Sequence, residues 1–171
     1  MLKRSWIIAL VLLIAQPAAA DNDTIFDALL GHWQAKGNAF GAPSTSDMYW
    51  VNAKLGGKFF RLEYQINRTT PDGTKPIFSG IAYYQKPASP VTANDKIKAF
   101  WADTNGNLHP ISAMVEDNAL ISNWGTPDTE QGRTRYQLME LGTVEVTDWV
   151  KTPDGWRRFN HTVFNRSETQ R

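Results

Sequence analysis

Ten β-rich runs separated by turn-forming dipeptides fill the chain after Gly31. Dipeptides such as Asp72-Gly73, Asn105-Gly106 and Asp154-Gly155 have the composition of tight hairpin turns. Because each hairpin lays a strand beside the one before it, the sequence predicts an antiparallel meander. The predicted strands are 32–40, 46–55, 58–68, 76–86, 96–104, 108–116, 119–124, 133–141, 143–151 and 156–166.

Apolar and polar side chains alternate along several of these runs. Phe60, Leu62 and Tyr64 share one face of the third run, and Arg61 and Glu63 lie on the other. A period of two gives each strand one dry face and one wet face. Closure of such a sheet removes its exposed edges, so we expect an all-β fold, an antiparallel up-and-down β-barrel of about ten strands.

A short N-terminal helix is expected within 21–30. Apolar residues fall at helical spacing there, and Gly31 follows as a stop. Two proline residues, Pro87 and Pro90, predict a loop over 87–95, because proline does not fit a central strand.

The first 20 residues have the pattern of a secretory signal peptide. Lys3 and Arg4 precede an apolar run over 6–15, and small residues stand at Ala18 and Ala20. Ten apolar residues are about half of the ~20 that cross a bilayer, so we expect no stable membrane insertion after cleavage. The predicted organisation is a signal peptide (1–20) and one domain (21–171), secreted to a bacterial periplasm or the medium.

Composition excludes several kinds of chemistry. The chain has no cysteine, which removes disulfides, thiol nucleophiles and zinc–thiolate sites. Lys and Arg number 18 against 17 Asp and Glu, so no nucleic-acid partner is expected. The three histidines form neither an H-x-H pair nor an H-E-x-x-H motif, and no G-x-S-x-G motif occurs. We therefore predict no metal site and no catalytic residue.

Residues at the start of the barrel carry a resemblance to a known family. Leu30-Gly31-His32-Trp33 resembles the G-x-W signature of the calycins, which include the lipocalins and the fatty-acid-binding proteins. The resemblance implies that Gly31 and Trp33 close one barrel end beneath an arginine of the last strand, either Arg166 or Arg158.

A closer likeness extends over most of 28–167. Leu55-Gly56-Gly57-Lys58-Phe59-Phe60, Phe78-Ser79-Gly80 and Phe100-Trp101-Ala102-Asp103 occur in an order that resembles the bacterial secreted lipocalin-like family called domain of unknown function 1579. That family has no settled activity, so the likeness implies a fold and not a reaction. The chain is more distantly similar to nitrobindin, a ten-stranded haem barrel, which implies a ligand role for His161 on the last strand.

Aromatic side chains are the main resource for binding, because a barrel of this size has room for a ligand. We expect a small apolar or amphipathic ligand inside and no cofactor, and we favour a binding protein over an enzyme. The predicted lining residues are Tyr64, Tyr84, Trp101, Met114, Trp124 and His161.

Three alternatives stay open at this stage. One is a haem barrel with His161 as the ligand, and another is an isomerase or cyclase with His161 or a nearby carboxylate as general base. A structural or interaction role is the third, and no oligomeric state is predicted. His32 and His109 are expected at the surface, Ser79 at a crowded strand crossing, and Asp103 as a turn acceptor.

Overall fold

The computed structural model describes residues 24–87, 95–140 and 142–168. The predicted signal peptide, 1–20, and most of the predicted loop at 87–95 lie outside the described residues. The elements are α1 (Thr24–Leu29), β1 (Gly31–Ala39), β2 (Ala42–Asn52), β3 (Phe59–Thr70), β4 (Gly73–Gln85), β5 (Ile97–Asp103), β6 (Leu108–Glu116), β7 (Ala119–Trp124), β8 (Gly132–Leu138), β9 (Thr143–Thr152) and β10 (Gly155–Arg166).

The ten strands form a closed antiparallel barrel in sequence order, with β1 beside β10. This confirms the predicted up-and-down barrel with a short N-terminal helix. The clearest difference in boundaries is at β2, which begins at Ala42 rather than at the predicted residue 46. Phe40 and Gly41 form the tight turn before it with φ values of 50° and 76°. An aromatic residue rarely adopts a positive φ, so sequence alone did not indicate a turn there.

The seam between β1 and β10 is the shortest ladder in the barrel. Its register contains two residue pairs, Trp33 with Arg166 and Gln34 with Asn165. The Ser167 backbone N–H also donates to the His32 carbonyl at 2.8 Å. The other neighbouring strands share at least five pairs each. Along 35–39, β1 is therefore held through β2.

Helix α1 lies at the barrel end where β1 begins, which we call the helix end; the opposite end is the far end. Phe26 of α1 stacks on Phe60 with ring centroids 4.5 Å apart and lies 5.8 Å from the ring of Tyr84. A six-residue helix is marginal on its own, so burial of its apolar face must stabilise it. Within the described part of the chain, no helix has the length and apolar character needed to span a bilayer.

Apolar side chains fill the helix half of the interior. The largest are almost completely buried because α1 covers them. They are Phe26, Leu29, Trp33, Met48, Trp50, Leu62, Tyr84, Leu120, Val144 and Phe164.

Arg166 and Trp33 join the last strand to the first at the helix end. The Arg166 guanidinium carbon lies 4.2 Å from the centre of a Trp33 ring. Its two terminal nitrogens donate to the carbonyls of Leu30 (2.7 Å) and Ala28 (2.9 Å). The Trp33 indole N–H donates to the Leu29 carbonyl at 2.7 Å. Arg166, and not Arg158, thus covers Trp33 and satisfies carbonyls at the end of α1.

Candidate functional site

The far half of the barrel has a different interior from the helix half. Many of its inward-facing side chains are only half-buried, although a closed sheet surrounds them. Side chains that face into a barrel keep accessible surface only where the interior or its openings leave space beside them. The inward residues with such surface include Tyr64, Trp101, Trp124, Thr134, Asp148, Asn160 and Thr162.

A half-buried carboxylate lies at the centre of this half. Asp148 of β9 accepts a hydrogen bond from the Thr134 hydroxyl at 2.6 Å and another from the Asn160 side-chain amide at 2.7 Å. The Thr162 hydroxyl donates to the Asn160 amide oxygen at 2.9 Å. We call these four residues the Asp148 cluster. Burial raises the pKa of the Asp148 carboxyl, and the two hydrogen bonds partly oppose that effect.

A β-bulge in β10 completes the cluster. Arg158 pairs with Trp149 and Asn160 pairs with Asp148, so Phe159 has no partner on β9. Without this extra residue, continuous pairing would put Phe159 opposite Asp148. The bulge therefore brings a hydrogen-bond donor to the carboxylate in place of an aromatic ring.

Three tyrosine hydroxyls lie close enough to the cluster to feel the charge of Asp148. Tyr84 shares a hydrogen bond of 3.0 Å with Ser122. Burial raises the pKa of Tyr64 and of Tyr84 to about 12, and the nearby charge of Asp148 adds to this shift. Burial likewise holds the pKa of Tyr136 well above its usual value. These phenols therefore stay neutral at physiological pH and are available as hydrogen-bonding groups.

Two glycines provide space for two inward tryptophans. A Cβ at Gly80 would lie 2.0 Å from Cζ2 of Trp101, and one at Gly132 would lie 1.9 Å from Cζ2 of Trp124. Each indole therefore lies against the barrel wall where the neighbouring strand has no side chain. The close approach that the structure describes is thus at Gly80, the residue after Ser79.

Four of the predicted lining residues face the interior. Tyr64, Trp101 and Trp124 lie in the far half, and Tyr84 lies at the boundary with the filled half. Met114 does not face inward, because the inward positions beside it on β6 are the buried Ala113 and Val115.

His161 lies on the outer surface, so its expected inward orientation is wrong. Its Nε2 lies 3.2 Å from a carboxylate oxygen of Glu145, and its side chain is 44 % exposed. Phe159 and Val163, whose apolar character suggested an inward face, are 55 % and 46 % exposed. The error arose because the inward face of β10 is polar at this level.

The other two histidines also depart from expectation, since both were placed at the surface. His32 is buried, stacks on Tyr49 at 4.0 Å, and has Nε2 2.7 Å from an Asp47 carboxylate oxygen. His109 is half-buried and its ring lies 5.3 Å from that of Trp124. The turn role of Asp103 is confirmed, because it accepts backbone hydrogen bonds from Asn105 and Asn107.

Sequence reasoning missed the Asp148 cluster, although a signal for its central residue was present. Asp148 occupies the same alternating face of β9 as Val144, Val146 and Val150. A carboxylate on an otherwise apolar strand face predicts a buried charge. Asn160 had no such signal, because the bulge that turns it inward is not evident from alternation.

Comparison with family models found no match, and no curated protein matches the chain. The all-antiparallel barrel of ten strands is compatible with a calycin-type architecture. The fold and the site define an antiparallel β-barrel with one apolar half and one polar half.

The described residues offer few side chains that could bind a metal ion or a haem. Among the described residues, no three His, Asp or Glu side chains come together as a metal site. A haem inside the barrel would need an inward imidazole, and His161, the residue predicted for that role, points outward to Glu145. The inward imidazole is that of His109, whose ring lies beside Trp124. The arrangement around His161 therefore does not fit an enclosed haem.

Proposed function

We propose that the far half of the barrel binds a small amphipathic molecule. Its apolar body would lie against Trp101 and Trp124, and its polar end would meet the Asp148 cluster. One observation carries the proposal: Asp148, its two hydrogen-bond partners and the inward tryptophans of the far half are only half-buried, whereas the large apolar side chains of the helix half are almost completely buried.

The two kinds of lining supply different parts of recognition. Burial of apolar ligand surface against the indoles contributes roughly 25 cal/mol per Å². A few convergent polar groups fix the orientation of a ligand in a mostly apolar pocket. Thr134 and Asn160 both donate hydrogen bonds to Asp148, so the three side chains are held in place before a ligand arrives.

The seam between β1 and β10 supports a route to the site. Its register stops at Gln34, so the seam has no ladder alongside the Asp148 cluster. Gly37 lies on this stretch of β1, and a Cβ there would meet no atom within 4 Å. We propose that ligands pass through this part of the seam or through the far end.

A fluorescence titration tests the proposal with the neutral probe N-phenyl-1-naphthylamine. We expect saturable binding that Trp101→Ala weakens about tenfold, because the ring supplies contact area. Trp156→Ala is the matched control, since Trp156 lies on the outside and is 46 % exposed. Absence of binding, or equal weakening by both variants, would contradict the proposal.

A second candidate function is an isomerase that uses Asp148 as general base. A buried carboxylate with a raised pKa near neutral phenols is suited to taking a proton from the carbon beside a ketone carbonyl. Deuterium uptake by 2-tetralone in D₂O tests this. We expect exchange above background that Asp148→Asn abolishes; exchange that equals background overturns this candidate.

We also propose that the protein is a secreted, lipocalin-like barrel. Support comes from the leader-like residues 1–20 and from the calycin-like barrel. Expression of the full chain in a bacterium, followed by mass measurement of the periplasmic fraction, tests the first part. A mature mass that begins at Asp21 is expected, and an uncleaved cytoplasmic product would contradict secretion.

A further inference from the structure

We propose that the ligand of the far half carries a cationic group, an alkylammonium or arylalkylammonium, and that Asp148 is its counter-ion. This inference rests on the proposed binding function and specifies the chemical class of the ligand. It follows from the hydrogen-bond partners of Asp148, which carry no charge.

Both hydrogen-bond partners of the Asp148 carboxylate are neutral. Thr134 donates to Oδ1 and Asn160 donates to Oδ2. The ion pairs found in the described part of the chain involve other carboxylates, those of Asp47, Glu63 and Glu145. A buried carboxylate without a counter-charge is costly, and either a proton or a cation must offset that cost.

The direct strand partners of Asp148 supply no cation, and Arg157, which pairs with the next inward residue Val150, is exposed. On β8 and β10 its direct partners are Thr134 and Asn160, and along β9 its inward neighbours are Val146 and Val150. The phenols that feel its charge are Tyr64, Tyr84 and Tyr136, on β3, β4 and β8. They are neutral at physiological pH and so do not offset the charge of Asp148.

The surrounding aromatic rings favour the same ligand class. Trp101 and Trp124 lie against the wall over glycines, and the Tyr64 ring also faces the interior. Aromatic faces attract cations, most strongly where water is scarce. The far half thus places electron-rich faces around a carboxylate that has only neutral hydrogen-bond partners. Its other inward charges, Asp103, Arg68 and Arg157, lie near the strand ends at the far end. This arrangement favours a cation beside Asp148.

The proposal predicts a specific pH dependence. Burial favours the protonated form of Asp148. The carboxyl group must therefore lose its proton before it pairs with a ligand that has a fixed positive charge. Affinity for such a ligand should increase as pH rises through the raised pKa of Asp148. Affinity for a neutral ligand of the same shape should not follow this rise.

Isothermal titration calorimetry with three ten-carbon probes tests the inference. The probes are decyltrimethylammonium, 1-decanol and decanoate, which share a chain and differ in charge. At pH 8 the cationic probe should bind at least about tenfold more tightly than the alcohol, as expected for a close charge pair. Asp148→Asn should remove this preference, and Glu145→Gln should keep it, since Glu145 is on the same strand but faces outward to His161.

The outcomes separate this inference from the proposed function. If the alcohol and the cation bind equally, or decanoate binds best, the cationic class is wrong although the far half still binds ligands. If none of the probes binds, the proposed function fails as well. The comparison among probes in the unaltered protein decides the question even if Asp148→Asn does not fold.

Discussion

The same strands line both halves of the barrel, but the side chains that they place inside differ in polarity and in burial. In the helix half, α1 inserts Phe26 against Phe60, and the large apolar side chains around them are fully buried. In the far half, the same strands present a carboxylate, hydroxyls and an amide beside two tryptophans that rest over glycines.

The difference separates the half that stabilises the fold from the half that we propose binds a ligand. Close-packed apolar groups supply most of the free energy of folding, so the helix half holds the barrel closed. A buried charge with neutral partners contributes little or negatively to stability. Its retention in the far half is consistent with a role in binding.

The largest expected difference between the halves is in the free energy of unfolding that is lost when an aromatic ring is removed. Phe26→Ala should lower the free energy of unfolding by about 3–5 kcal/mol, because Phe26 is fully buried and leaves a cavity. Phe78→Ala in the half-buried far region should cost only about 1–2 kcal/mol. Urea unfolding measures both values. Equal losses would show that the far half is packed as tightly as the helix half.

A single methyl group should disturb the far half next. Gly132→Ala should cost about 1–3 kcal/mol and weaken probe binding, since the Cβ would overlap the Trp124 ring. Gly37→Ala is the control and should change stability by less than about 0.5 kcal/mol, because its Cβ meets open space. Thermal unfolding and the naphthylamine titration test the pair. If Gly132→Ala leaves both measurements unchanged, Trp124 is not held as described.

Replacing Asp148 should change how stability depends on pH. Burial raises the folded pKa above the unfolded value of about 3.9, so the native state holds its proton more tightly. The free energy of unfolding therefore falls as pH rises from about 4 through the raised pKa. The free energy of unfolding of Asp148→Asn should not decrease in this way. Relative to the unaltered protein, the variant should therefore become more stable as pH rises through the raised pKa. Urea unfolding at several pH values measures this difference. If the free energies of unfolding of the two proteins change with pH in parallel, the carboxylate of Asp148 does not destabilise the fold.

The smallest effect is expected outside the barrel. His161→Ala removes an exposed contact with Glu145 and should change the free energy of unfolding by less than about 0.5 kcal/mol. Probe binding should also stay unchanged, because the side chain does not reach the interior. A large loss of binding would indicate that His161 contributes to the binding site, and it would contradict the assignment of that site to the Asp148 cluster.

The sequence predicts the barrel well because hairpin turns and alternation are local signals. Asp72-Gly73 and Asn105-Gly106 mark turns that the structure contains, and the runs at 108–116 and 119–124 coincide with β6 and β7. The turn at Phe40-Gly41 was missed because its backbone conformation is unusual for an aromatic residue.

The candidate site was harder to predict, because its geometry depends on contacts between distant strands. Tyr64 and Trp101 were predicted from alternation and Trp124 from its aromatic character, whereas His161 was assigned to the wrong face by its apolar neighbours. Asn160 faces Asp148 only because a bulge shifts the register of β10. Alternation within one strand carries no information about such a shift.

The tryptophan indoles offer the most direct test of the division between the two halves. Two-dimensional ¹H–¹⁵N NMR resolves one side-chain signal for each indole, and decyltrimethylammonium or N-phenyl-1-naphthylamine serves as the ligand. We predict that the signals of Trp101 and Trp124 shift on titration while those of Trp33 and Trp50 in the filled half stay in place. Shifts confined to the exposed Trp156, or no shifts at all, would contradict a binding site in the far half.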